Sequence, residues 1–101
     1  MKVGLLFLAL VVGTISATVW ADRDIKPETV RAWVESGQIR SFEEIFQLNK
    51  STLSGEILDL KIKKKHGRIV YEIEQLKENG TVSEVYIDAV SGEFIKEEAD
   101  D

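Results

Sequence analysis

The residues able to do acid–base or metal chemistry in this sequence are one histidine and a few carboxylates. His66 is the only histidine, it follows three lysines, and the chain has no cysteine. Catalysis and metal binding both need partner groups of matched type. Glu72, Glu74, Glu84 and Asp88 alternate with apolar residues, which is typical of the solvent face of a sheet. The sequence therefore predicts no enzyme, no catalytic residue, no metal site and no cofactor.

Tyrosines and lysines are the side chains best suited to contact another protein. Our candidate partner-binding residues are Tyr86, Tyr71, Lys61 and Lys63. Alternation predicts that Tyr86 lies on the outer face of a strand, and an exposed aromatic side chain on a sheet indicates an interface. Tyr71 shares a face with apolar residues, whereas Lys61 and Lys63 share a solvent face. We expect a protein partner, and a chain that is a monomer or weak dimer.

The first residues have the layout of a signal peptide. Residues 3–20 are uncharged and follow Lys2, and Val19-Trp20-Ala21 stands before the charged Asp22. This pattern predicts a signal peptide over residues 1–21, cleaved between Ala21 and Asp22, with no membrane span left afterwards. The alternative is an uncleaved anchor, because eighteen uncharged residues can span a bilayer as a helix. We therefore expect a periplasmic or secreted protein, or a membrane-anchored one.

The charge balance argues against nucleic acid as a partner. The chain carries a formal net charge of −5 at pH 7, and the only charge in residues 1–21 is Lys2. An acidic protein is repelled by nucleic acid and by anionic lipid. With no cysteine, the domain also has no disulfide to restrict its unfolded state, so its stability must come from packing.

Two short helices are predicted at the start of the remaining chain. Pro27 suits a first helical turn, and apolar residues then recur at spacings of three and four over residues 27–36. Gly37 suits the left-handed position after the last turn. Ser41, followed three residues later by Glu44, forms a capping box that predicts the start of the second helix.

Apolar residues then recur with a period of two, which predicts strands. Leu58, Leu60 and Ile62 are expected on the inner face of the first strand. A turn at residues 66–67 leads to a second strand over residues 68–75. Asn79-Gly80 predicts a hairpin with a type I′ turn, followed by a third strand over residues 81–88.

The end of the chain predicts one more turn and a short strand. Asp88 can accept hydrogen bonds from backbone amides ahead of it, and Gly92 suits the strained position of that turn. Phe94 and Ile95 begin the last strand. The fold class is α+β, with two short N-terminal helices packed on one face of an antiparallel three- to four-stranded meander. Residues 22–96 form the domain, and residues 97–101 are expected to be a disordered acidic tail.

Five short segments together resemble the PepSY family. In chain order they are Trp-Val-Glu-Ser-Gly, Phe-Glu-Glu-Ile, Gly-Glu-Ile-Leu, Val-Tyr-Glu-Ile and Glu-Val-Tyr-Ile-Asp-Ala-Val-Ser-Gly-Glu. The resemblance covers roughly residues 32–95. Gly37, Asp88 and Gly92 are the residues that match the family's turn positions.

The resemblance implies a non-catalytic module that binds and restrains a peptidase or tunes the cell envelope. We therefore predict an exported PepSY-like regulatory module whose partner is a peptidase or an envelope sensor. A free sheet edge is the expected place for an extended segment of that partner. The alternative is a small-ligand or cation-responsive envelope protein that uses the acidic residues.

Overall fold

The computed structural model describes residues 23–100. The predicted signal peptide and its cleavage position between Ala21 and Asp22 lie outside the described residues. Within residues 23–100, no helix is long and apolar enough to cross a bilayer.

The described residues form two helices and five strands. In chain order they are β1 (Arg23–Asp24), α1 (Pro27–Glu35), α2 (Phe42–Leu48), β2 (Glu56–Lys65), β3 (Arg68–Leu76), β4 (Val82–Asp88) and β5 (Phe94–Ala99). The predicted α+β class, with two helices before an antiparallel meander, is confirmed. The two-residue strand β1 was not predicted.

Local signals account for both helices. Pro27 occupies the first position of α1, where its missing amide hydrogen costs no hydrogen bond. The chain leaves α1 through Gly37, which has a φ of +80°. At the start of α2, the Ser41 hydroxyl accepts a hydrogen bond of 3.2 Å from the amide of Glu44, as the capping pattern predicts.

The sheet keeps the order of the chain. Its strand order is β1-β2-β3-β4-β5, and each neighbouring pair is antiparallel. Residues directly opposite in such pairs share a face, so Tyr71 with Ile87 and Ile73 with Val85 mark the helix-covered face. No described element covers the other face, which is called the outer face below.

The core lies between the helices and β3 and β4. The buried core cluster is Ile39, Ile45, Leu53, Tyr71, Ile73, Val85, Ile87 and Ala89. Side chains of both helices pack against this cluster, among them Val30, Trp33 and Phe46. The predicted inward orientation of Val85 and Ile87 is therefore correct.

Strand β2 differs from its prediction because its alternation is interrupted. A register shift lies between Ile57 and Asp59 in the pairing of β2 with β3. Leu58 and Leu60, expected in the core, are 46% and 38% exposed. A bulge re-aims side chains locally, and Leu60 lines an open groove between α1 and β2.

The second hairpin forms as predicted, but with a different turn. Gly80 has a φ of +86°, and His66 is the one described non-glycine residue with positive φ, so Asn79 does not adopt the type I′ geometry. Instead, the Asn79 side chain accepts hydrogen bonds from the amide and the hydroxyl of Thr81, at 3.0 and 2.7 Å. The Asn79-Gly80 pair therefore predicted the hairpin correctly and its turn type wrongly.

The prediction of a disordered tail from residue 97 is wrong for the described residues. Strand β5 continues to Ala99, pairing with β4 as far as Ser83. The carboxylate of Glu97 accepts a hydrogen bond from the Ser83 hydroxyl at 2.7 Å and lies 2.8 Å from the Lys77 ammonium. Composition alone indicated a solvated tail, but these partners from distant parts of the chain order it.

Candidate functional site

Tyr86 lies on the outer face, as predicted, but its ring is covered. The side chain is 8% exposed, because the ammonium groups of Lys65 and Lys96 lie 5.4 and 4.9 Å from the ring centroid. Its hydroxyl donates to the Glu84 carboxylate at 2.8 Å. Burial, followed by this hydrogen bond, raises the pKa of Tyr86. The expectation of an exposed aromatic contact is therefore wrong for the free protein.

The lysines of β2 surround a buried carboxylate. Glu72 is 6% exposed, and its two oxygens lie 3.6 Å from Lys63 Nζ and 3.3 Å from Lys65 Nζ. Lys61 pairs directly with Glu72 across the strands and stays exposed. Of the two lysines predicted to contact a partner, Lys61 is thus accessible, whereas Lys63 forms an ion pair with Glu72.

Tyr71 belongs to the core and not to a contact surface. It is 1% exposed, and its hydroxyl donates to the backbone carbonyl of Arg40 at 2.6 Å. Burial, with a smaller contribution from Glu44, raises the pKa of Tyr71 to about 12. A residue buried in this way cannot contact a partner while the domain is folded. Tyr71 is therefore no longer proposed as a partner-binding residue.

The structure places Asp88 at the turn between β4 and β5. Its Oδ1 accepts hydrogen bonds from the amides of Val90 and Ser91 at 2.8 and 2.9 Å, and its Oδ2 accepts two from the Arg68 guanidinium. Burial acts to raise the pKa of Asp88, but the Ser91 amide and Arg68 outweigh it, so the pKa lies below its usual value. Gly92 closes the turn with a φ of +80°.

His66 occupies the β2–β3 turn. His66 and Gly67 have φ values of 49° and 78°, which is the type I′ geometry that suits a two-residue hairpin. The His66 side chain is exposed. Among the residues that the structure describes, no group of three or more histidine and acidic side chains is placed to hold a metal ion.

The structure has a free sheet edge along part of β2, the first of the strands that the sequence predicted. Strand β1 pairs only with Lys63 and Lys64, and the Ile25 amide donates to the Ile62 carbonyl at 3.3 Å. The stretch from Glu56 to Lys61 has no described strand on that side. We call this stretch the open edge.

An apolar groove runs beside the open edge, between α1 and β2. Its volume is about 500 Å³, and it is lined by Ile25, Pro27, Val30, Arg31, Leu60, Lys61 and Ile62. The exposed Leu58 and Leu60 belong to the same strand. Their alternation predicted a core position, whereas the bulge and the groove, which depend on tertiary packing, leave them exposed.

A protein-family model matches the part of the chain that runs from the start of α2 into β5. The family model described as "Peptidase propeptide and YPEB domain", named PepSY, matches residues 41–98, which is more than half of the chain. The match begins at the cap of α2 and includes β2 to β5 up to Glu98. No curated protein and no solved structure matches the chain.

Proposed function

The chain belongs to the PepSY family, and we propose that it is an exported, non-catalytic regulatory module that binds an extended segment of a protein partner at the open edge. The partner is a peptidase or an envelope sensor. The family's description names peptidase propeptides, and this favours a peptidase as the partner. Export rests on the leader-like residues 1–21.

The observation that supports this proposal is the open edge with its exposed leucines. Six residues, Glu56 to Lys61, continue β2 past the point where β1 ends. They span about 20 Å, enough for a short strand of a partner to add to the sheet by backbone hydrogen bonds. Leu58 and Leu60, at 46% and 38% exposed, provide apolar surface there.

The two faces of the edge differ, and this difference defines the segment that fits. On one face, an added strand lies beside the groove formed by Ile25, Val30 and Leu60, which favours apolar side chains. On the outer face it lies beside Asp59 and Lys61. Opposite charges on neighbouring strands attract, so an acidic side chain fits beside Lys61 and a basic one beside Asp59. The preferred partner segment therefore alternates apolar residues with charged residues of both signs.

A local contact protects the open edge in the free protein. The Ile62 carbonyl points toward β1, so by alternation the backbone polar groups of Leu60 also face the open edge. The Leu60 amide donates a hydrogen bond of 2.9 Å to the Asp59 carboxylate. Occupied amides and charged residues are common protections of edge strands against unwanted pairing, and a partner strand displaces this contact when it binds.

The proposal is tested by photo-crosslinking from the open edge in cells that produce the protein. A photoreactive amino acid is placed at position 58 or 60, and at position 48 as a control. Leu48 is similarly exposed, at 57%, but it lies on α2. We expect one envelope protein to be captured from positions 58 and 60 and not from position 48.

The captured protein is then used to test regulation. If it is a peptidase, its activity should fall when the purified protein is added and should be unaffected by the variant Leu60→Lys. The fold of that variant is checked by circular dichroism. Adducts that are the same from all three positions, or none from 58 and 60, would contradict binding at the open edge.

A further inference from the structure

The outer face of the sheet is divided into an acidic and a basic region. Directly paired residues put Asp59, Glu74, Glu84 and Glu98 side by side on four neighbouring strands. We call this row the carboxylate rung. The other region, here called the basic half, contains Lys61, Lys63, Lys65, Arg68 and Lys96.

The carboxylate rung is unfavourable for the isolated domain. Like charges directly opposite one another on neighbouring strands destabilise a sheet. At Glu74 a hydrogen bond with Asp100 and burial raise the pKa most, and the charges of Asp100, Asp59 and Glu84 add to that rise. Violations of this kind in an otherwise consistent fold are expected where a surface has another role.

The basic half has the opposite excess and a partly apolar floor. Its five cations outnumber the two carboxylates within it, Glu72 and Asp88, and Lys96 pairs with Glu98 of the rung. A cavity of about 320 Å³ opens there, lined by Lys65, His66, Arg68, Val70, Tyr86, Ile95 and Lys96. The surface therefore combines positive charge with apolar area suited to contact.

We propose that the outer face binds a second copy of this chain, with the basic half of each copy against the carboxylate rung of the other. A two-fold axis that lies in the interface, perpendicular to the strands, reverses the strand direction of the second copy. After this rotation the basic half of each copy faces the carboxylate rung of the other. The same contact therefore forms twice, as an isologous interface requires. The occupant is the same chain because one face carries both halves of the complementary pair.

The size of the face indicates a weak, reversible dimer. Four strands about 4.8 Å apart, each contributing six or seven residues of about 3.3 Å, give an area of roughly 400 Å² per copy. The total of about 800 Å² is below the roughly 1,200 Å² at which stable interfaces begin. Because the interface is polar and charged, its formation should weaken as salt screens the charges.

The test compares charge reversals on the two halves by sedimentation equilibrium up to millimolar concentration. The protein is used in the form recovered from expressing cells. Lys96→Glu places an acid in the basic half, and Glu98→Lys places a base in the carboxylate rung. The two side chains are exposed, at 54% and 50%, and pair with each other at 2.7 Å. Glu43→Lys and Lys50→Glu, exposed positions outside the sheet, are the matched controls.

A mixture of the two outer-face variants distinguishes this dimer from other modes of association. The wild type and both controls should move toward twice the monomer mass, whereas each outer-face variant alone should remain monomeric at the same concentration. An equimolar mixture of Lys96→Glu and Glu98→Lys should associate again, and so should the double variant. A monomeric wild type at all concentrations, association unchanged by the outer-face variants, or no recovery in the mixture would overturn the proposal.

Discussion

Glu97 provides the sharpest test of how the end of the chain is held. The residue was expected in a disordered tail, but its Oε2 accepts a hydrogen bond from Ser83 Oγ at 2.7 Å and lies 2.8 Å from Lys77 Nζ. A third donor, Gln75 Nε2, lies 3.4 Å away. We predict that Glu97→Gln lowers the free energy of unfolding, because the substitution removes the charge and keeps the shape.

The magnitude follows from the two short contacts. A hydrogen bond to a charged group contributes about 1.5–3 kcal/mol and a neutral one about 0.5–1.5 kcal/mol, so each contact loses roughly 1 kcal/mol. The side chain is 26% exposed, which reduces the effect through solvent screening. We expect a loss of about 1–2 kcal/mol. Glu98→Gln, the control, removes one half-exposed ion pair with Lys96 and should cost less than about 0.5 kcal/mol.

The assay is urea unfolding followed by circular dichroism at several pH values. With a slope near 1 kcal/mol per molar, the expected loss moves the midpoint by about 1–2 M. The hydrogen bond from Lys77, followed by that from Ser83, lowers the pKa of Glu97 below its ordinary value of 4.5. The folded state then binds fewer protons at this site, so the stabilisation is present above pH 4.5 and is lost as the pH falls through the lowered pKa.

Two results would refute this reasoning. Equal losses for Glu97→Gln and Glu98→Gln would mean that the contacts of Glu97 contribute nothing beyond those of a surface charge. A difference between wild type and Glu97→Gln that persists unchanged well below pH 4.5 would mean that its origin is not the carboxylate.

Three further predictions concern the core and the turns. Gly55→Ala should destabilise by about 3 kcal/mol or more in thermal unfolding, because its Cβ would overlap the Leu76 carbonyl oxygen. Gly37→Ala, with a φ of +80° but open space around it, should cost only about 1–2 kcal/mol, and equal losses would contradict the argument. In a spectrophotometric titration Tyr71 should ionise near pH 12, and ionisation near pH 10 in the folded protein would show that its hydroxyl is accessible. Asp88→Asn should lower stability by about 1–2 kcal/mol at pH 7 and by little below the lowered pKa of Asp88, measured by urea unfolding; a loss independent of pH would contradict a role for its charge.

Features set by nearby residues were predictable from the sequence. The capping serine of α2, the His66-Gly67 turn and the inward side chains of Val85 and Ile87 each follow from neighbours within a few positions. Turn chemistry and alternation are local properties of the chain, so a single sequence is enough to identify them.

Features set by distant residues were not predictable. Tyr86 is covered because the long side chains of Lys65 and Lys96 extend over its ring, and lysine stems can cover apolar surface while their charged ends stay in water. Strand β5 extends past residue 96 because Glu97 meets partners on β4 and in the preceding loop. The open edge depends on where β1 ends, which alternation within β2 cannot show.

The strand order of the sheet also bears on how quickly the chain reaches its fold. Every strand pairs with a strand adjacent to it in sequence order, and from β2 onward the connections are short. Sheets of this kind have low contact order for β structure, and low contact order goes with fast folding because little loop-closure entropy must be lost before native contacts form. Because the chain has no cysteine, no disulfide has to form before the fold is complete. A chain with these properties can fold quickly and without an oxidant.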